Sequence, residues 1–227
     1  MSYTYDTFVD AAMAAFANIP TTGANANASF LAAMPTIIDQ AEQKIYADLQ
    51  LLVTIVRDTS ASTVANTRNF TLPAPAGASQ FTVLHSINII NGSARTPVIK
   101  VSREVMDIIY PSDVGVVGVV PSKWAPLTDT VILFGPAPST TYQVECIGTI
   151  RPAALSESNQ TTYLSTQLPG LFFAAAMVTT AGWMRNFGAQ ADDPKMANSW
   201  QQQYDILLPL AKGEETARKF AGFYGGS

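Results

Sequence analysis

Phe81-Thr-Val-Leu-His-Ser-Ile-Asn-Ile-Ile-Asn-Gly92 alternates between apolar and polar residues and ends in an Asn-Gly pair. Such alternation is typical of a half-buried β-strand, and it places Phe81, Val83, His85, Ile87 and Ile89 on one face. Asn-Gly is a strong signal for a two-residue hairpin turn, so residues 96–101 are predicted to form the returning strand. Residues 131–134 and 142–150 are predicted as further strands, since prolines and glycines punctuate the region around them. This pattern indicates a small antiparallel sandwich or barrel.

Helical spacing of apolar residues flanks this β region on both sides. Before it, apolar residues recur three or four positions apart over residues 7–19 and 35–52, with Pro35 expected in the first turn of the second helix. After it, residues 171–187 are largely apolar, and residues 194–207 keep helical spacing until Pro209, which should disturb the helix end. Each of these helices has an apolar stripe to bury, so the outer helices are predicted to pack together.

The predicted fold is therefore of the α+β class. N- and C-terminal helices form a helical bundle, and an antiparallel β-sandwich or barrel-like module is inserted between them. Residues 1–57 and 152–211 are assigned to the bundle, and residues 58–151 to the β module, which opens with a linker rich in Ser, Thr and Asn at 58–68. Residues 212–227 are assigned to a C-terminal arm.

The composition predicts a surface that is poor in charge. The chain has 227 residues, of which 48% are hydrophobic and 13% are charged, against roughly 25% charged in an average soluble protein. Two explanations stay open: other subunits cover much of the surface, or Ser, Thr, Asn and Gln keep it polar but neutral. The net charge is −4 and the basic residues are scattered, so the chain is not expected to grip DNA. An acidic wall can still surround passing DNA without sticking to it.

The sequence lacks the motifs of catalysis and of cofactor binding. A single His and a single Cys exclude a multi-His metal site and an intrachain disulfide. His85 and Cys146 could form a nucleophile–base dyad, but packed strand side chains are the more ordinary interpretation of both. No glycine loop for a nucleotide is found. The sequence thus predicts no enzyme activity, no cofactor and no metal site.

Compartment signals are equally sparse. The first residues carry no basic and apolar segment of the kind that directs secretion, and no stretch reaches the length of a membrane span. The chain is therefore expected to be made and kept in a reducing cytoplasm, with no membrane partner.

Two segments are candidates for contacts with partner proteins. The first is residues 115–127, which contain a valine-rich run and then Trp124, because exposed Val117, Val119 and Trp124 would form an apolar patch. The alternative is an ordinary strand with a buried Trp124. The second is the C-terminal tail, whose basic and aromatic residues are of the types that anchor interfaces and would become ordered on assembly. The alternative is that its aromatics fold back on the bundle. The tail candidates are Arg218, Lys219, Phe220, Phe223 and Tyr224.

Several segments follow one another in a family-like order over most of residues 5–211. They are Met34-Pro-Thr-Ile-Ile-Asp-Gln-Ala-Glu-Gln-Lys-Ile-Tyr-Ala-Asp-Leu49, Asn69-Phe-Thr-Leu-Pro73 before the strand at Phe81, Tyr110-Pro111 with Pro121-Ser-Lys-Trp124 and Gly135-Pro-Ala-Pro138, and Arg151-Pro-Ala-Ala-Leu-Ser156 with Thr162-Tyr-Leu-Ser165 and Leu168-Pro169. This set resembles the adaptor, or head-to-tail connector, family of short-tailed bacteriophages, and most closely its tail tubular protein A type.

The resemblance implies a structural protein of the virion, made in the cytoplasm of the host bacterium. It implies a ring of subunits, commonly twelve, that binds the portal protein on one side and a tail nozzle or tube protein on the other. DNA would pass through the lumen without specific binding. Helices would form the ring wall, the β module would face outward or toward the tail, and the C-terminal segment would reach the portal.

Two alternatives to the adaptor remain open at the level of the sequence. One is a neck or stopper ring further along the tail, which differs from an adaptor mainly in its position. The other is a glycan-binding protein whose β module uses Trp124 as a stacking platform, and which would be a monomer or trimer with affinity for saccharides.

Overall fold

The computed structural model of the chain describes residues 2–23, 26–115, 118–184 and 194–220, and it confirms the α+β class. Contacts within the chain divide it into two compact units. The helical unit consists of Met1–Val53 and Ala153–Ser227, and the β unit of Thr54–Pro152. No described helix combines the length and the apolar character that crossing a membrane requires.

The helical unit begins with a π-helical segment, Thr7–Met13, that runs into α1 (Ala14–Ala17), and α2 (Ala28–Asp48) follows. The predicted start of α2 at Pro35 is wrong. The side chain of Asn27 caps the helix by accepting a hydrogen bond from the N–H of Phe30 at 3.0 Å. The buried stripe extends back to Phe30, so packing favours a longer helix, although Pro35 inside it has no N–H to donate.

Helix α5 (Pro169–Met184) is the centre of the helical unit. It packs against α2, against the short α4 (Tyr163–Gln167) and against α6 (Pro194–Phe220). Nearly every side of α5 is buried, and Ala174, Ala175 and Ala176 let neighbouring elements approach closely. The ring of Phe172 stacks on that of Phe8 with 4.5 Å between their centres. A helix that is apolar all round is stable only when it is enclosed in this way.

Helix α6 is longer than predicted. It continues through Pro209 to Phe220, so residues 212–220 are its last turns. Buried side chains on both sides of Pro209, Tyr204 before it and Ala211 and Glu215 after it, fix the helix to the unit. Their burial outweighs the hydrogen bond that Pro209 cannot make.

The described residues of the β unit form a seven-stranded sheet in the order β1-β7-β3-β4-β5-β6-β2. The strands are β1 (Ile55–Asp58), β2 (Asn69–Thr71), β3 (Phe81–Asn91), β4 (Ala94–Lys100), β5 (Lys123–Pro126), β6 (Val131–Gly135) and β7 (Gln143–Ile150). Strand β1 begins before the predicted linker and lies at an edge of the sheet. Strands β4 and β5 pair in parallel, which corrects the prediction of a wholly antiparallel module. The reason is the crossover between them, which contains the unpredicted helix α3 (Arg103–Ile109).

The alternation that predicts β3 breaks partway along the strand. Its pairing with β7 shifts register between Phe81 and Val83 and again between Leu84 and Ser86. Phe81, Ile87 and Ile89 are buried as predicted, whereas Val83 and His85 are exposed. A bulge inserts an extra residue into one strand, and the faces of the residues beside it change accordingly.

Candidate interaction surfaces

The predicted tail contact Arg218 is engaged within the helical unit. It donates to the carboxylate of Glu215 at 2.8 Å and to the hydroxyl of Tyr163, and its guanidinium lies 5.2 Å from the centre of the Tyr163 ring. Glu215 is buried and also accepts from the backbone N–H of Leu52. These bonds fix the last turns of α6 onto the unit.

The other tail candidates are placed differently from one another. Lys219 donates to the backbone carbonyl of Gln50, so it too contacts the chain itself. Phe220, at the last residue of α6, keeps 52% of its surface exposed. Phe223 and Tyr224 lie outside the described residues. The structure therefore brings the two basic candidates against the helical unit and leaves Phe220 accessible to a partner.

The candidates of the valine-rich segment also separate. Trp124 is only 3% exposed and belongs to the core of the β unit, with the ammonium of Lys100 5.3 Å from the centre of its ring. The tryptophan is thus not a surface contact, nor is it presented as a stacking platform for a sugar. Val119 is partly exposed, and Val117 lies outside the described residues.

An apolar surface that the sequence did not predict lies on α3. The side chain of Ser102 accepts from the N–H of Val105 and starts this helix, and Met106 is its buried contact with the unit. Val105, Ile108 and Ile109 lie on the outer face at helical spacing, and Ile108 is 78% exposed. The sequence pattern does not predict this helix, because two turns give too few repeats of the helical spacing of apolar residues.

A second unpredicted surface runs along α6. Residues spaced four, three and four apart are all exposed, and we call them the α6 seam: Ile206, Leu210, Gly213 and Ala217. Ile206 is 69% and Leu210 64% exposed, on the side of the helix opposite to buried Ala211 and Glu215. The helical spacing of these residues is present in the sequence, but the prediction that Pro209 disturbs the helix end left the residues after it out of the helix.

A groove separates α2 from α5 on the surface of the helical unit. Its volume is about 570 Å³. Uncharged side chains line it, small ones beside the larger Ile37 and Trp183, and we call it the α2/α5 groove: Ala33, Thr36, Ile37, Gln40, Val178, Thr179, Gly182 and Trp183. A methyl group built on Gly182 would meet no described atom outside its own helix backbone within 4 Å, so the described part of the groove is open at this point.

His85 and Cys146 do not form a dyad. A ring nitrogen of exposed His85 lies 2.6 Å from the hydroxyl of Thr149. Cys146 is fully buried, and burial raises the pKa of its thiol to about 12, so it stays protonated. Among the described residues, no group of His, Cys, Asp and Glu side chains is placed to hold a metal ion.

Two further buried carboxylates besides Glu215 have structural roles, one in each unit. Glu42 on α2 accepts from the N–H of Leu155 at 3.1 Å and from the hydroxyl of Thr162 at 3.5 Å, and burial raises its pKa to about 7. It thereby holds the segment that leads into α4.

Glu145 on β7 is the buried carboxylate of the β unit. It accepts from the side-chain amide of Asn88 at 2.8 Å and from Arg57, and the guanidinium of Arg95 is 3.6 Å away. Burial alone would raise its pKa, but these donors together lower it below the ordinary value. The carboxylate therefore stays charged and connects β7 to β1, β3 and β4.

Exposed apolar faces on two helices, in a chain of which 13% is charged, are typical of a protein that works through contacts with other proteins. In a comparison with protein families, the model of the SU10 adaptor protein family matches residues 3–221. The chain belongs to this family of phage head-to-tail adaptors, which confirms the resemblance in the sequence and makes the protein a structural component of the virion. No curated protein sequence gives a significant match.

Proposed function

We propose that this protein is a ring subunit that joins the portal to the tail of a phage particle and surrounds the DNA passage. The family match over residues 3–221 carries the proposal. A ring of twelve copies, assembled on the portal and bound below by a tail nozzle or tube protein, is the arrangement that we propose. Synthesis takes place in the cytoplasm of the host.

The surfaces support a role in assembly. A subunit with several neighbours needs several separate contact surfaces, and the helical unit and the β unit each have exposed apolar side chains at helical spacing, on α6 and on α3. The net charge of −4 suits a wall that DNA passes without binding. We assign contact with the portal to Phe220 at the end of α6 and to Phe223 and Tyr224 after it, since Arg218 and Lys219 hold the end of that helix in place.

The test is the mass of the purified chain with and without the portal ring of its own phage, measured by native mass spectrometry. Addition of several copies to the portal is the expected result. Truncation after residue 220 should then reduce this addition, while the matched variant Ser158→Glu, at an exposed position of the helical unit, should leave it unchanged. A chain that stays monomeric and well folded beside the portal would contradict the adaptor role and favour a neck or stopper ring further along the tail.

A further inference from the structure

The two sides of α6 serve different contacts. Tyr204 on the inner side donates a hydrogen bond to Asp48 of α2 at 2.7 Å, and Ala211 and Glu215 are buried in the same unit. On the outer side, the α6 seam repeats at the spacing with which one helix packs along another. Ile206 and Leu210 are the largest exposed side chains of its first half. The α6 seam is therefore an exposed ridge that is not part of the core of the helical unit.

The α2/α5 groove has the complementary properties. Its walls carry no charged side chain among the described residues that line it, and neither does the α6 seam. Ala33 and Gly182 are small, so a helix with large side chains can approach closely. Glycine inside a helix lowers stability relative to alanine, and among the described residues no atom outside the helix backbone lies where a side chain at position 182 would begin.

We propose that the α6 seam of one copy packs into the α2/α5 groove of the next copy, with Ile206 and Leu210 entering beside Gly182. Ridge and groove are different surfaces of one compact unit, so the contact is head to tail and can continue from copy to copy until a ring closes. Pairing of two α6 seams would give a closed dimer instead. The inference rests on the proposed ring and names the surfaces that form it.

Disulfide trapping tests the contact directly. Chains with Leu210→Cys are mixed with chains carrying Gly182→Cys and then oxidised. The mixture is tested at high concentration without the portal and again on the portal ring. The native Cys146 is buried and does not compete. A disulfide between residues 210 and 182 of different chains is expected. Lys212→Cys, exposed on α6 but off the seam, is the matched control and should not link to residue 182. A 210–210 disulfide, or no link under either condition, overturns the proposal.

Charge placed on the seam gives an independent readout. Ile206→Lys with Leu210→Lys would bury two ammonium groups against an uncharged groove and should weaken copy–copy association about a hundredfold. The unit should stay folded, because both positions are exposed. Ser158→Lys, at an exposed position of the same unit outside the seam and the groove, is the matched control. Unchanged association of the double variant contradicts the proposal.

Addition of the unmodified chain to the portal is measured in the same samples. If the chain adds to the portal but no 210–182 disulfide forms, the adaptor role is supported and the seam contact is refuted. If the disulfide forms but the chain does not bind the portal, the seam contact is supported and the adaptor role is refuted.

Discussion

The stability of the helical unit should fall as pH rises, because of Glu42. Burial raises the pKa of this carboxyl from its ordinary 4.5 to about 7, even though Leu155 and Thr162 donate hydrogen bonds to it. Below about pH 4.5 the carboxyl is protonated in both folded and unfolded chains and has no effect. Above pH 7 the folded chain must hold a buried charge. At about 1.4 kcal/mol per pKa unit, the difference lowers the free energy of unfolding by about 3 kcal/mol.

Glu42→Gln isolates this effect, since the amide oxygen can still accept from Leu155 and Thr162 but does not ionise. Urea denaturation followed by helical circular dichroism, at about pH 4.5 and about pH 8, gives the free energy of unfolding of variant and parent. The advantage of the variant should grow by about 3 kcal/mol between the two pH values. Exposed Glu157→Gln, in the same unit, is the control and should show no such growth. A constant difference for Glu42→Gln would refute the reasoning.

Three further predictions concern stability. Trp124→Ala should lower the free energy of unfolding of the β unit by about 3–5 kcal/mol, because it removes a buried ring; a loss below about 1 kcal/mol in denaturant titration would show that the ring is not a core residue. Gly213→Ala should raise the free energy of unfolding of the helical unit by up to about 1 kcal/mol, since the added methyl meets no described atom outside its own helix backbone within 4 Å; a lower melting temperature would contradict this. Glu145→Ala should cost about 1–3 kcal/mol by leaving Asn88 and Arg57 without their shared acceptor; hydrogen exchange along β7 that stays as slow as in the parent would exclude the role.

The sequence was informative wherever a pattern was long. The hairpin after Asn91-Gly92, the strands near 131 and 143, and the long apolar helix after Pro169 all follow from periodicity and turn chemistry. Local rules failed where burial in the folded chain opposed them. Proline was expected to begin a helix at 35 and to disturb one at 209, yet both prolines lie inside helices held by buried side chains on either side.

Other features depend on pairing between distant parts of the chain. The register shifts of β3 exist only against β7, and they expose His85, which simple alternation places inside. The parallel pairing of β4 with β5 depends on the route of the chain through α3. Among the candidate contacts, residue type alone could not show that Arg218 and Lys219 bind acceptors of their own unit. Nor could it show that the α6 seam is exposed, because burial on the other side of the helix decides that.

The division of the helical unit into two stretches of chain has a consequence during translation. The β unit, Thr54–Pro152, is one uninterrupted stretch and can fold as soon as it leaves the ribosome. The apolar face of α2 is made before it, whereas α5 and α6 are made after it. At roughly 5–20 residues per second, that face stays uncovered for about 5–20 s while the roughly 100 residues of the β unit are made. Nascent chains should therefore need chaperone protection of α2. They lack the α2/α5 groove until α5 is made and the α6 seam until α6 is made, which would prevent unfinished chains from entering a ring.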